Sequence, residues 1–533
     1  MSPRNTSGRG GGARKSGRHS HSTTGRTPRH GTGHRISTAE PSPLSGKLVE
    51  LHIDALALGG AGVGRMPEVI AGDDGGVDDF AGAGMAVFVA GALPGSRVRA
   101  RLTQVHRRHA EAVVAEVLSP SPEAVAPFCP HFGLCGGCSL QHLAPESQLA
   151  WKQRQIVEAL ARIGKVQPKV VLPPVAAPSS QRFRNKMEFA FQAAPGGQGV
   201  ALRLGLYEAA APGQLAGHSS KQSGVGRVFD LAACPIFPQV GEDIVAAVRA
   251  GCIKARLTAY DRASREGFLR HLVLRHSVHQ DALLAQLITA PATEGQGRAV
   301  QALGQELLDR FPQLTGFVHS ERGSADGLSQ AERTRLTLGA PVLIEALESA
   351  RYSISPDAFF QTCTKGAEAL YAALRTLADL APTDTVYDLY CGGGGIALFL
   401  AGSCGRVLGL EQNASAIADA EANARLNGTK NCRFLRADLS GQEPIPLRLP
   451  EDYEIPAVAV VDPPREGLDA GLVQWLVAKP LPRLVYVSCN PATLARDAGL
   501  LSAAYELAAV QAVDLFPHTA HAECLALFTP LAG

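Results

Sequence analysis

The chain has 533 residues, too many for one ordinary core, and a spacing of roughly 150 residues per domain predicts three or four. With 45% hydrophobic and 19% charged residues its composition is globular, which argues against a wholly disordered or fibrous chain. There is neither an uninterrupted apolar run of roughly 18 residues nor an apolar leader core, so no membrane span and no secretion are expected, and the cytoplasm is the expected compartment. The net charge of +2 hides an asymmetry, because residues 1–40 hold eight Lys or Arg and one acid, Glu40.

Residues 1–43 therefore read as a disordered basic tail, rich in Gly, Ser and His and unable to bury apolar surface. Such a tail either holds RNA loosely by displacing counterions or serves as a solubilising extension. Residues 44–118 read as a small OB-like β-barrel. Short β-type runs (LVELHIDAL, AVFVAGAL, SRVRARLTQV, HAEAVVAEVL) are punctuated by Gly59–Gly64 and Pro94-Gly95. The Gly- and Asp-rich insert Pro67–Gly84 reads as an irregular loop. Residues 119–350 read as an α/β central domain, opened by the Pro-rich stretch Pro120–Pro130, a cysteine cluster and an amphipathic helix near Pro145–Ile163. In residues 351–533 strands alternate with helices, the pattern of a parallel sheet covered on both faces.

Eleven cysteines in a chain without a leader read as thiols, metal ligands or a nucleophile rather than a disulfide framework. Cys129, Cys135 and Cys138 form C-x5-C-G-G-C, and Cys234 stands before a proline as a plausible fourth ligand. One C-x2-C pair with two single cysteines suits an iron–sulfur cluster better than zinc, although zinc and unliganded thiols stay open. Cys252, Cys363, Cys391, Cys404, Cys432 and Cys524 read as packing residues.

Asp388-Leu389-Tyr390-Cys391 followed by Gly392–Gly395 ends one strand and opens a helix, with glycines that let a ligand approach the backbone. Glu411 ends the next strand, where a carboxylate can accept hydrogen bonds from both ribose hydroxyls of an adenosine ligand. The acid Asp388 disfavours a dinucleotide pyrophosphate and favours a cationic sulfonium, so S-adenosylmethionine is the expected cofactor rather than NAD. Asp462, in Asp462-Pro463-Pro464-Arg465, and Cys489, in Ser488-Cys489-Asn490-Pro491, each follow an apolar run and should share the same sheet rim. A thiolate adding to C6 of uracil makes C5 nucleophilic, which assigns Cys489 as a covalent nucleophile. An amino-group methyltransferase also uses an N/D-P-P motif, but there an aromatic residue follows the prolines, and here Arg465 does.

Taken together, C-x5-C-G-G-C, Phe359-Phe360-Gln361, DLYCGGGG, DPPR, SCNPATLARD and the terminal His521-Ala522-Glu523 resemble the bacterial RNA 5-methyluridine methyltransferases. The resemblance is to the branch that carries a TRAM domain and an iron–sulfur cluster, and it runs from about residue 44 to the C-terminus. It implies an N-terminal TRAM barrel, a central domain with a [4Fe-4S] cluster on Cys129, Cys135, Cys138 and Cys234, and a C-terminal class I methyltransferase domain. It implies cofactor contacts from Gln361, Tyr390, Gly395, Glu411, Asp438 and Asp462. It also implies that Phe359, Gln361 and Asp462 face the target base, that Cys489 is the nucleophile and that Glu523 is the proton acceptor. Flipping the base out of its stack costs a few kcal/mol. Large-subunit ribosomal RNA is the expected substrate, with the transfer-RNA T-loop as the alternative within enzymes. A non-catalytic RNA-binding assembly factor is the alternative outside them, and a monomer is the simplest expectation. The fourth loop glycine, Gly395, departs from relatives that carry a polar residue there, so it would contribute backbone contacts only.

Overall fold

The computed structural model describes residues 44–67, 69–71, 77–79, 83–195, 201–209, 226–440, 453 and 456–532. The expected basic tail, 1–43, lies outside them. Strands β1 (Leu48–Leu56), β2 (Gly62–Arg65), β5 (Ala86–Ala90), β6 (Arg97–Val105) and β7 (His109–Ser119) close a barrel in the order β1-β2-β5-β7-β6. Alternation along β1 and β6 sends Val49, Leu51, Ile53, Val98, Ala100 and Leu102 inward, and these pack with Val87, Val89, Ala110 and Ala112. The insert expected to be irregular contains a strand pair, β3 (Val69–Ala71) with β4 (Val77–Asp79), matched antiparallel. A three-residue strand falls below the length at which alternation can be recognised, which is why composition alone misread it.

The central region is built on a seven-stranded sheet. Its strands are β9 (Lys186–Ala193), β10 (Leu202–Tyr207), β11 (Val228–Asp230), β12 (Leu269–Ser277), β13 (Ala282–Thr289), β14 (Leu314–Glu321) and β15 (Arg333–Gly339). The order is β11-β10-β9-β12-β13-β14-β15, and only the β13/β14 pair is parallel. Helices α2 (Gln239–Lys254) and α3 (Glu294–Arg310) cover it through Ile244, Val245, Val248, Val300, Leu303 and Leu307. Thr293 and Gln296 close a capping box at the start of α3, satisfying two of its free N–H groups.

The C-terminal sheet has eight strands in the order β20-β19-β18-β21-β22-β24-β23-β8. These are β18 (Thr385–Leu389), β19 (Arg406–Glu411), β20 (Cys432–Arg436), β21 (Val458–Val461), β22 (Arg483–Ser488), β23 (Tyr505–Val513), β24 (Glu523–Pro530) and the short β8 (Val170–Val171). The first five run parallel, as the strand–helix alternation predicts. In contrast to a wholly parallel reading, β24 pairs antiparallel with both β22 and β23.

Helix α1 (Pro145–Ala159), expected within the central region, instead packs on this sheet, with Ile156 and Ala159 joining its core. Lys152 fastens it there. Its ammonium, with the side chain 2% exposed, donates to Asp514 Oδ1 at 2.7 Å and to Phe516 O at 3.0 Å. Removing one partner of a buried ion pair leaves the other charge uncompensated, so Lys152→Met should cost about 3–5 kcal/mol in urea unfolding. Adding Asp514→Leu should restore most of that loss, and a single variant as stable as the parent would contradict the account.

Candidate active site

The carboxyl ends of the five parallel strands meet at one rim. Tyr390 follows β18, Glu411 ends β19, Asp438 follows β20, Asp462 follows β21 and Cys489 follows β22. Because β24 runs the other way, its first residue, Glu523, reaches the same rim. Ser488 is paired with Cys524, so one further step sets Cys489 across from Glu523 on neighbouring strands.

On the cofactor side, Tyr390, Gly392 and Gly394 all have positive φ (66°, 51° and 81°), a path that glycine takes without strain. Gly394 caps α5 (Gly395–Leu400). The loop is held from below, because Ala397 N–H donates to Asp388 Oδ2 at 2.9 Å and Gly392 N–H to Glu411 Oε2 at 3.3 Å. Gly395 is pressed against two buried tyrosines. Tyr352 OH donates to its carbonyl at 2.9 Å, and a Cβ there would lie 2.9 Å from Tyr371 OH. Sequence reading missed both tyrosines, whose only signal is an ordinary place in apolar runs.

Burial dominates the acids here. It pushes fully buried Asp388 up to about 8, helped by the charges of Asp462 and Glu411 and opposed by the Ala397 hydrogen bond. Desolvation likewise pushes Asp462 up to about 7. Asp388 Oδ1 is buried and has no hydrogen-bond partner among the described residues.

On the catalytic side, burial and then Asp462 push Glu523, 7% exposed, up to about 8, while Arg465 and Lys152 oppose this. Burial and the Glu523 charge push the Cys489 thiol up to about 11, again against Arg465. The two motif loops are tied together. Asn490 caps α8 (Pro491–Leu501) by accepting from Ala492 N–H at 3.1 Å, and its Nδ2 donates to Arg465 O at 3.0 Å. Asp497, fully buried, accepts from Leu468 N–H and Tyr486 OH, both at 2.8 Å, and so braces the loop after Arg465.

Residues 328–530 match the family model described as tRNA (Uracil-5-)-methyltransferase. An uncharacterized RNA methyltransferase of Nitratidesulfovibrio vulgaris is 35% identical over 485 residues, 91% of this chain and 96% of that protein. The chain belongs to the RNA (uracil-5-)-methyltransferase family. An uncharacterized RNA methyltransferase of Chlorobaculum tepidum is also 35% identical, covering 84% of this chain and 92% of that one. Among solved structures, the Pyrococcus abyssi tRNA (uracil-54, C5)-methyltransferase in complex with S-adenosyl-L-homocysteine is similar in fold. Its TM-score is 0.65 at 24% identity, covering 90% of this chain and 99% of that one.

In this methyltransferase the remaining sequence-assigned residues are distributed as follows. Phe359 is 79% exposed, and the Gln361 side chain faces the Tyr371 hydroxyl. Asp438 is exposed at the rim's edge, its Oδ1 accepting from Ser440 N–H at 2.9 Å and Ser440 Oγ at 2.6 Å. Four of the enzyme's eleven cysteines gather away from this rim. Cys129, Cys135 and Cys138 lie near buried Cys234, and their charges interact. Burial pushes Cys138 up to about 11 and Cys234 up to about 12. Half-buried Arg184 interacts favourably with both. The cysteine loop is also fastened to the turn before Glu523, since Ser139 and Leu140 N–H both donate to His518 O at 2.9 Å. No described helix of the methyltransferase is long and apolar enough to cross a membrane.

Proposed function

We propose that this enzyme methylates carbon 5 of a uridine in folded large-subunit ribosomal RNA, with S-adenosylmethionine as donor and Cys489 as covalent nucleophile. The observation that carries the proposal is the placement of Cys489 opposite Glu523, both beside Asp462 at the strand-end rim. The cofactor half of the crevice fits a cation. It presents the carboxyls of Asp388 and Asp462, an Asp388 oxygen with no hydrogen-bond partner among the described residues, and a loop whose positive φ at Gly392 and Gly394 suits glycine. Tyr390, Gly395, Glu411, Asp438, Asp462 and Gln361 would hold the cofactor, which when bound supplies an electrophilic methyl group.

The chain's own residues then do the following. The Cys489 thiol loses its proton to solvent as the base arrives, and Sγ bonds to C6 of the flipped uracil while the C5–C6 π pair moves toward C5 and the C4 oxygen. Phe359 offers a face for stacking, and Gln361 and Asp462 orient the ring edge. Once C5 carries its methyl group, Glu523 takes the C5 proton. The C5–C6 double bond re-forms and the Cys489 thiolate leaves.

Cys129, Cys135, Cys138 and Cys234 would hold a [4Fe-4S] cluster. Among the described residues no three of these sulfurs lie within 4.8 Å of one another, whereas a single tetrahedral zinc requires about 3.8 Å between thiolates. Arg184 supplies positive charge beside this thiolate set. The barrel is the TRAM domain and grips RNA backbone, the protein acts in the cytoplasm, and the monomer is its working form. Transfer RNA is the second reading, favoured by the description of the matching family model.

The test is incubation of the anaerobically purified protein and S-adenosylmethionine with RNA substituted with 5-fluorouridine. Fluorine cannot be abstracted as a proton, so the C6 adduct should persist and map to Cys489. Trapping on ribosomal RNA supports the full reading, and trapping on transfer RNA alone changes the substrate. No trapping on either, with cofactor bound, refutes the covalent mechanism.

A further inference from the structure

The backbone on both sides of Phe359 is tied to the central sheet. On the N-terminal side, Arg275 of β12, 4% exposed, donates Nε–H to Pro356 O at 3.0 Å and a terminal N–H to Ala358 O. On the C-terminal side, Asn185 donates Nδ2–H to Gln361 O at 2.9 Å and its backbone N–H to Thr362 O at 2.8 Å. The same Nδ2 also donates to Thr364 Oγ1 at 2.9 Å. Between them Asp357 accepts from Gln286 Nε2 at 3.2 Å and from Ala331 N–H at 3.2 Å. These ties share one origin, because Arg275 is the ladder partner of Lys186, the residue after Asn185, and His276 N–H donates to Asn185 O at 2.7 Å.

A buried guanidinium that donates to two main-chain carbonyls organises backbone, and the nearby charges of Glu188 and Asp357 help to keep it ionised there. What it organises carries an aromatic ring that is 79% exposed. A large apolar side chain on a tethered backbone offers a stacking face whose ordering cost is met during folding, not on binding.

We infer that Arg275 is a positioning residue for the target base, fixing the Pro356–Gln361 backbone so that Phe359 meets the base already in place. The inference rests on the assignment of Phe359 to the base under the proposed function. It makes the central sheet a working part of substrate recognition rather than a spacer between barrel and methyltransferase core.

The test is a double-mutant cycle in the full-length, cluster-loaded protein, with Arg275→Met, Phe359→Ala and the pair. Arg275→Met should lower kcat/KM for RNA by about tenfold or more, with a smaller change in S-adenosylhomocysteine affinity, because Asn185 still holds the Gln361 carbonyl. In the Phe359→Ala background it should cost less than about threefold, because its target is already gone. Arg275→Lys should recover part of the loss. Amide exchange at Ala358, whose N–H bonds Ser355 O at 3.2 Å, should accelerate in Arg275→Met while exchange in β18–β22 stays unchanged.

Multiplicative losses in the cycle, or unaltered exchange at Ala358, would overturn the inference. If the parent protein transfers no methyl group to any uridine RNA, the proposed function fails instead. The exchange measurement needs no substrate and still decides whether Arg275 holds the loop.

Discussion

Cys489→Ala abolishes methyl transfer, with an expected loss of at least about 10⁴-fold in kcat, the scale seen when an attacking group is removed. The residue is only half-buried at a strand end, so the loss should come without loss of stability. RNA affinity should also persist, because phosphate contacts dominate it and the barrel that would make them is remote in sequence. Serine should not rescue. Its hydroxyl is far less acidic than a thiol, and this site already works against ionisation. With the thiol pushed up to about 11, roughly one molecule in a few thousand carries the thiolate at pH 7.5. Attack must therefore be coupled to proton removal when substrate binds, and the positive charge of Arg465 favours the anion. Single-turnover assays on the parent, Cys489→Ala and Cys489→Ser decide the matter. An alanine variant that keeps a tenth of the parental rate would remove Cys489 from the mechanism.

The rim was legible in the sequence because each residue announces itself locally. Asp388, Glu411, Asp462 and Cys489 each end an apolar run, and in a parallel sheet such ends converge whatever the loops do. Glu523 was different. Nothing near it marks a base, and only the family resemblance nominated it. The structure supplies the physical reason, an antiparallel β24 whose first residue falls beside the last residues of parallel strands.

Long-range attachments were not legible. The α1 pattern shows an amphipathic helix without saying which sheet takes its apolar face, and the partners of Lys152 lie 362 and 364 residues away. Arg275 and Asn185 sit in stretches with no motif, so their role emerges only when β9 and β12 are paired in register. Phe359 was nominated only by the family resemblance, and the ties that hold the backbone on both sides of its exposed ring are ones that hydropathy does not encode.

Glu523→Gln should separate the two halves of the reaction. Sulfur addition and methyl transfer proceed in this variant, but the C5 proton has no acceptor, so the covalent protein–RNA complex should accumulate on ordinary uridine RNA. Turnover should stop at about one product-level equivalent per enzyme, a burst without a steady state. A second readout comes from stability. Burial, then Asp462, raises this carboxyl from 4.5 to about 8 in the folded protein. Between those values the folded state holds a proton that the unfolded chain has lost. The contribution is complete below about 4.5 and is lost as pH rises through about 8. Glutamine has no such proton to lose. The variant should therefore gain on the parent as pH rises from 5 to 9, reaching on the order of 2–4 kcal/mol, and less if Asp462 relaxes. Parental activity should rise over the same range, because only the carboxylate accepts the C5 proton. Continued multiple turnover by Glu523→Gln would shift the base assignment to Asp462, the other raised carboxyl facing Cys489. A parent-minus-variant stability difference that is flat from pH 5 to 9 would show that Glu523 ionises freely, and the activity limb would then require a different titrating group, Asp388 or Asp462.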